Sequence, residues 1–157
     1  MIIRIAKGFF LIHIFLLGVL SVSGYAQLYV FKLNDLSFGD VFIGYSSNVS
    51  HTDSRAAKFR LHHDYPGNRN IRVSFTLPSN LTYGASSVPI TFSSSNSAWS
   101  TTDDLVGRTN FNPFSPLLLP KINRQQNVFI WLGASINPPG VPYGLYQGTI
   151  IILIEVY

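Results

Sequence analysis

Along most of the chain apolar side chains recur at every second position, the period of a strand rather than of a helix. In residues 57–63, Ala57, Phe59 and Leu61 alternate with Lys58, Arg60 and His62. In residues 71–77, Ile71, Val73, Phe75 and Leu77 alternate with Arg72, Ser74 and Thr76. Each pattern predicts a strand with one buried and one solvated face. Further strands are predicted over residues 29–33, 37–43, 89–93, 127–136 and 145–157, parted by clusters of Gly, Pro, Asn and Ser. With no convincing amphipathic helix between them, these strands predict an all-β, antiparallel sandwich.

The two clearest strands flank Tyr65-Pro66-Gly67-Asn68. A four-residue turn there would set inward Leu61 opposite outward Arg72. A three-residue loop of Pro66, Gly67 and Asn68 instead opposes Tyr65 to Arg69, Leu61 to Val73, Phe59 to Phe75 and Ala57 to Leu77. That register predicts a hairpin whose outward face carries Lys58, Arg60, His62 and Arg72, with Arg69 near the turn. It is a candidate basic face for an anionic glycan or the acidic surface of a neighbouring subunit, against the plainer use of keeping the sheet solvated. In the last strand Ile150, Ile152, Ile154 and Val156 share one face while Ile151 and Leu153 make the other partly apolar. Such a strand is expected at the centre of a sheet, or with a partner across its second face, because a long apolar edge templates aggregation.

Residues 1–26 follow a different rule. Arg4 and Lys7 precede an apolar run over residues 9–20, and small residues follow at Gly24 and Ala26, the order of a secretory signal peptide cleaved after Ala26. As a helix this run of 12 residues rises about 18 Å, short of the ~30 Å hydrocarbon core. An uncleaved anchor is the alternative, and it leaves the domain on the same side of the membrane. Residues 27–157 are then expected to form a single β-sandwich domain.

Composition agrees with a packed, exported chain. Of its residues 46% are hydrophobic and 11% charged, which argues for a core and against disorder. There is no cysteine, so disulfides, thiolate metal ligands and a thiol nucleophile are excluded. Eleven Lys and Arg include Arg4 and Lys7 of the signal; nine remain against seven acidic residues. A net charge of about +2 is too small to argue for nucleic acid.

Several short motifs together resemble a known family. They are Leu36-Ser37-Phe38-Gly39-Asp40-Val41, Ala56-Ala57-Lys58-Phe59-Arg60-Leu61 before Pro66-Gly67, Val73-Ser74-Phe75-Thr76-Leu77-Pro78 with Leu81, Leu132-Gly133-Ala134, and Gly144-Leu145-Tyr146-Gln147-Gly148-Thr149 with terminal Tyr157. The chain resembles the secreted bacterial domain-of-unknown-function family 4402, similar in outline to spore coat protein U and to pilin-like sandwiches. Departures are a long polar loop over residues 93–104 and an insertion-like stretch over 109–126. The resemblance implies an Ig-like or pilin-like β-sandwich in the periplasm or on the exterior of a Gram-negative bacterium. It brings no catalytic residues.

Motifs for chemistry are sparse. Gly84-Ala85-Ser86-Ser87-Val88 lacks the second glycine of a nucleophile elbow. One glutamate, Glu155, and scattered aspartates mark no carboxylate pair. His62-His63-Asp64, with His51 and Asp53, holds metal-ligand types, but adjacent strand residues face opposite ways, so a shared ion is not expected. Asp103-Asp104 lacks the calcium-loop spacing. No cofactor is expected. Trp99, Tyr65 and Tyr83 are candidates for stacking on glycan rings, while Trp131, between Ile130 and Leu132, is expected in the core. The sequons at Asn48 and Asn80 are incidental in a bacterium. Tyr29, Val30, Phe31, Lys32 and Leu33 form a candidate strand for donation to another chain, or an edge strand of their own sheet. The sequence therefore predicts a non-enzymatic surface protein, structural, fimbria-like or adhesive, that associates with itself or with other surface subunits through sheet edges. The alternative is a carbohydrate-binding module using loop aromatics.

Overall fold

The structure, a computed structural model, describes residues 27–157; the expected signal peptide lies outside them. Twelve strands occur among the described residues: β1 (Leu28–Asn34), β2 (Ser47–Val49), β3 (Ala57–His63), β4 (Arg69–Thr76), β5 (Asn80–Tyr83), β6 (Ser86–Thr91), β7 (Ser97–Ser100), β8 (Thr109–Asn110), β9 (Leu117–Ile122), β10 (Val128–Leu132), β11 (Ala134–Ile136) and β12 (Ile151–Val156). A 3-10 turn, Ser94–Asn96, precedes β7. The fold is all-β. Three antiparallel sheets have the orders β1-β3-β10-β7-β8, β2-β11-β6-β5 and β12-β4-β9.

The five-stranded and three-stranded sheets form the sandwich. Ala57 and Leu61 of β3 and Val128, Ile130 and Leu132 of β10 share one buried cluster with Ile71 and Val73 of β4 and Leu117, Leu119 and Ile122 of β9. The four-stranded sheet contributes Val88, Ile90, Ala134 and Ile136 to a second cluster. Leu36, Leu77 and Ile150 pack against both, so the two clusters adjoin. The passage between sheets is Gly133, which separates β10 from β11. A Cβ there would overlap the Val49 carbonyl, so the close crossing of backbones demands glycine.

Several expectations need correcting. The strands over 57–63 and 71–77 exist, but they do not form a hairpin: β3 pairs with β1 and β10, whereas β4 pairs with β12 and β9. Leu61 and Val73 do share a core, but across the layers rather than along a ladder. Alternation specifies which face is buried and not which strand lies alongside. The connection over residues 64–68, with Gly67 left-handed at φ 72°, carries the chain from one sheet to the other.

Residues 37–43 are not a strand. Gly39 at φ 64° and Gly44 at φ 78° bracket a bent segment that drops Phe38 and Val41 onto the second cluster. The supposed loop over 93–104 contains β7, and the supposed insertion over 109–126 contains β8 and β9. The stretch 127–136 is two strands broken at Gly133. In the stretch 145–157 only Ile151–Val156 is a strand; upstream, Gln147 exchanges backbone hydrogen bonds with Thr82 at 2.8 and 3.0 Å. Finally, among the described residues β12 is neither central nor covered on its second face. It lies at an edge, with Ile151 58% and Leu153 60% exposed.

Candidate functional site

On β3 the side chains of Lys58, Arg60 and His62 point away from the core, opposite in phase to buried Ala57 and Leu61. The cross-strand register sets Tyr29 beside His62 and Phe31 beside Arg60 on one flank, and Phe129 beside Arg60 and Trp131 beside Lys58 on the other. The outside of the five-stranded sheet is therefore a ladder of rings and cations. Tyr29 stacks on His62 at 4.9 Å between centroids and Phe31 on His62 at 5.9 Å. The Arg60 guanidinium sits 4.6 Å from the centre of Phe31. Lys58 lies 5.5 Å from Phe129 and 5.8 Å from Trp131, and Arg108 covers Trp131 at 3.7 Å. Cations over ring faces are attracted by the ring quadrupole, and their stems shield the apolar surface.

Residues 101–108 complete this cover. Asp103 pairs with Lys58, its Oδ2 accepting from Nζ at 2.7 Å. Arg108 donates to the backbone carbonyls of Asp104, at 2.8 Å, and of His51. Burial lowers the pKa of the Arg108 guanidinium, with Asp103 and Asp104 pulling the other way. Burial, and then the charge of Arg108, lowers the pKa of His51. Under this lid Trp131 is only 3% exposed. It is buried as expected, but on the outside of the sheet rather than in the sandwich core. The signal was available: Val128-Phe129-Ile130-Trp131-Leu132 is apolar without alternation, which marks a strand covered on both faces. Nothing in the sequence around Arg108 announced that it would be the cover.

The basic face expected from the hairpin is thus divided. Lys58, Arg60 and His62 stay together, joined by Tyr29 and Phe31 of the candidate donation segment. Arg72 lies on the outside of the opposing three-stranded sheet, with Glu155 at 3.4 Å and the ring of Tyr157 at 5.7 Å. Arg69 sits at the end of that sheet, 5.8 Å from the ring of Tyr65. The split follows from the misassigned hairpin: both strands keep the expected phase, but their outward faces belong to opposite layers.

The candidate aromatics also separate. Trp99 is not in a loop. It lies on β7 opposite Ile130 and packs against the sandwich core; Ser97-Ala98-Trp99-Ser100 does not alternate, and the strand is held by its ladders to β10 and β8. Tyr65 stays at the turn against His63. Tyr83, at the end of β5, is half exposed and tilts against Tyr146 at 5.7 Å. His62 and His63 face opposite sides, as alternation requires. His63 is fully buried, its Nε2 2.9 Å from the Ile122 carbonyl. Among the described residues no group of three or more His, Asp or Glu converges to hold a metal ion. The candidate donation segment, Tyr29, Val30, Phe31, Lys32 and Leu33, pairs with β3 of its own chain as an edge strand.

Two further surfaces were not expected. A groove of about 1120 Å³ lies between the second apolar cluster and residues 138–150, lined by Phe38, Val41, Leu81, Tyr143 and Tyr146 among others. The other is the outside of the three-stranded sheet, where Leu118 of β9 is 54% exposed along with Ile151 and Leu153 of β12. No protein-family model matches the chain, and no curated protein matches it significantly.

Proposed function

We propose that the chain is a secreted, non-enzymatic protein of the periplasm or cell exterior of a Gram-negative bacterium. Its role is structural or adhesive, and it works through the surfaces and edges of its sheets. The observation that carries this reading is the apolar outside of the three-stranded sheet, where Ile151, Leu153 and Leu118 stand more than half exposed on a sheet face. Large apolar side chains exposed on a sheet face, on either side of the outward Arg72, Ser74 and Thr76 of β4, suit a contact site, and the place of Ile151 and Leu153 on a free edge strand suits association with other subunits. The resemblance to secreted sandwich domains agrees with it. Fractionating cells that express the full chain, then measuring the mass distribution of the exported protein by light scattering, tests the reading. Export with concentration-dependent assembly is expected; retention in the cytoplasm, or turnover of a substrate by pure protein, contradicts it.

The second reading, a carbohydrate-binding module, is favoured by the groove, where exposed Tyr143 joins Tyr146, itself packed on Tyr83. Tyrosines at the mouth of a groove offer flat faces for sugar rings. Glycan-array binding that is lost in Tyr143→Ala and kept in Trp99→Phe would support it.

A further inference from the structure

The cations of the two sheet faces differ in what they meet. Lys32, Arg55, Lys58 and Arg72 each pair with a carboxylate, that of Asp35, Asp53, Asp103 and Glu155 in turn. Arg108 donates to two backbone carbonyls. Arg60, half-buried in the middle of β3, forms no ion pair among the described residues, and its Nε is buried without a hydrogen-bond partner. The stem of Arg60 covers Phe31, which accounts for its length but not for its charge. A guanidinium keeps its charge, and holding one partly out of water with an N–H unpaired is costly unless an anion meets it.

Two residues along the same outward face, the Nδ1 of His62 is also buried and unpartnered, so hydrogen bonding by that ring falls to Nε2. Arg60 and His62 pack on one ring, the guanidinium 4.6 Å and the imidazole 5.9 Å from the centre of Phe31. Phe31 remains 38% exposed, against 3% for Trp131, so the cover that residues 101–108 lay over Lys58 and Trp131 stops short of it. Beyond His62, burial and then the charge of Asp64 raise the pKa of the Tyr29 phenol, which keeps its hydroxyl a donor. A similar group stands at the end of the three-stranded sheet. There Arg69, its Nε likewise buried and unpartnered, lies 5.8 Å from the ring of Tyr65, and Tyr65 lies 5.8 Å from the ring of His63. His63, however, is fully buried with its Nε2 bonded to the Ile122 carbonyl, so a ligand there reaches one cation and no second nitrogen.

We propose that Arg60, Phe31 and His62 form a binding site for a carboxylated glycan, a chain of uronic acid units. This rests on the reading of the protein as an adhesive surface protein and names a ligand class for it, at a site apart from the groove lined by Tyr143 and Tyr146. The guanidinium takes the carboxylate through its fork of N–H donors. The open part of Phe31 takes the C–H face of the pyranose that carries that carboxylate. The Nε2 of His62 and the hydroxyl of Tyr29 bond sugar hydroxyls. A uronic acid unit unites an anion, an apolar face and hydroxyls on one ring, the combination that these side chains present along two neighbouring strands. An acidic protein surface supplies the carboxylate without the ring, and a neutral sugar supplies the ring and leaves Arg60 unpaired.

The full chain, expressed for export in a Gram-negative host and purified, is titrated by calorimetry with tetragalacturonate, with its methyl ester and with polyglutamate. Tetragalacturonate is expected to bind, more weakly as salt is added. The methyl ester, which keeps the rings and loses the charges, is expected to bind at least about tenfold more weakly. Arg60→Gln should weaken tetragalacturonate binding at least about tenfold, and Arg60→Lys, which keeps the charge and loses the fork, about threefold or more. Phe31→Leu should weaken tetragalacturonate about threefold or more and leave polyglutamate unchanged. Arg69→Gln, which removes the comparable guanidinium of the other layer, should bind as the native chain does. Circular dichroism checks that each variant is folded; where Arg60→Gln is not, Arg60→Lys and the methyl ester decide. No binding of tetragalacturonate, equal binding of the methyl ester, or equal losses in the Arg60 and Arg69 variants overturns the proposal. Polyglutamate bound as tightly as tetragalacturonate makes this a site for an acidic protein and overturns the glycan. Each of these failures leaves export and assembly standing, because those are read by fractionation and light scattering.

Discussion

On the outside of the five-stranded sheet, Phe129 and Trp131 lie beneath Lys58, Arg108 and residues 101–108. On the outside of the three-stranded sheet, Ile151, Leu153 and Leu118 stand open, with Arg72 engaged by Glu155 and Tyr157. Both faces present large apolar side chains where a half-buried sheet would carry polar ones. The first is finished within the chain, by cations whose stems and charges cover the rings. The second is finished only if something outside the described residues covers it. Basic residues in the candidate site thus have a structural use on one side of the molecule, and of these two faces the one left open for contact carries only the Arg72–Glu155 pair beside its apolar side chains.

Replacing the covered side chain should be costly. Trp131→Ala is expected to lower stability by about 3–5 kcal/mol in urea denaturation, the range for emptying a buried aromatic site; a loss below about 1 kcal/mol would mean that residues 101–108 do not hold their cover in solution. Arg108→Ala removes the guanidinium from Trp131 together with its bonds to the Asp104 and His51 carbonyls. A loss of about 1–2 kcal/mol is expected, with a red-shift of tryptophan fluorescence as water reaches the ring. Leu153→Ala, on the open face, should change the stability of the monomer by no more than about 0.5 kcal/mol. A larger loss would show that the open face is packed within one chain after all.

The smallest effect concerns pH. Burial and Arg108 lower the pKa of His51, so the folded state favours the neutral ring and the unfolded state binds a proton more readily. Stability is therefore complete above the ordinary histidine range and falls as pH drops through about 6.5. Thermal melts should give a lower Tm at pH 5 than at pH 7, with a smaller difference in His51→Gln. Further acid acts on Asp53, which the hydrogen bond from Arg55 holds at about 2. Its contribution is present above the usual carboxylate range and is lost as pH falls through about 2.

Strand phase was legible in the sequence and strand partnership was not. Residues 57–63 were delimited to the residue as β3, because alternation over seven positions admits one buried face. The same alternation is satisfied when Leu61 meets Val73 along a ladder or across a sandwich, and only tertiary packing separates the two. Residues 37–43 read as a strand from their apolar content, but Gly39 and Gly44 turn the chain and their neighbours plug the second cluster instead. Strand β9 was hidden by Pro120 and by the polar sequence on either side of its leucines. Of the ring-and-cation ladder, Lys58, Arg60 and His62 were found together. Their partners Phe129, Trp131 and Arg108 come from β10 and from a connection that only the fold brings near.

Amide hydrogen exchange along β12, followed as a function of protein concentration, tests most directly whether the open sheet is a contact surface. Tyr157 and Asn70 exchange both backbone bonds, at 3.0 Å each, and antiparallel ladders alternate such pairs with non-bonded ones. The amides of Ile151, Leu153 and Glu155, therefore bonded to β4, should be protected at every concentration. Those of Ile152, Ile154 and Val156 should exchange freely in dilute solution and become protected as concentration rises. Free exchange at those three positions up to the highest soluble concentration, or protection already complete in the monomer, would contradict the account.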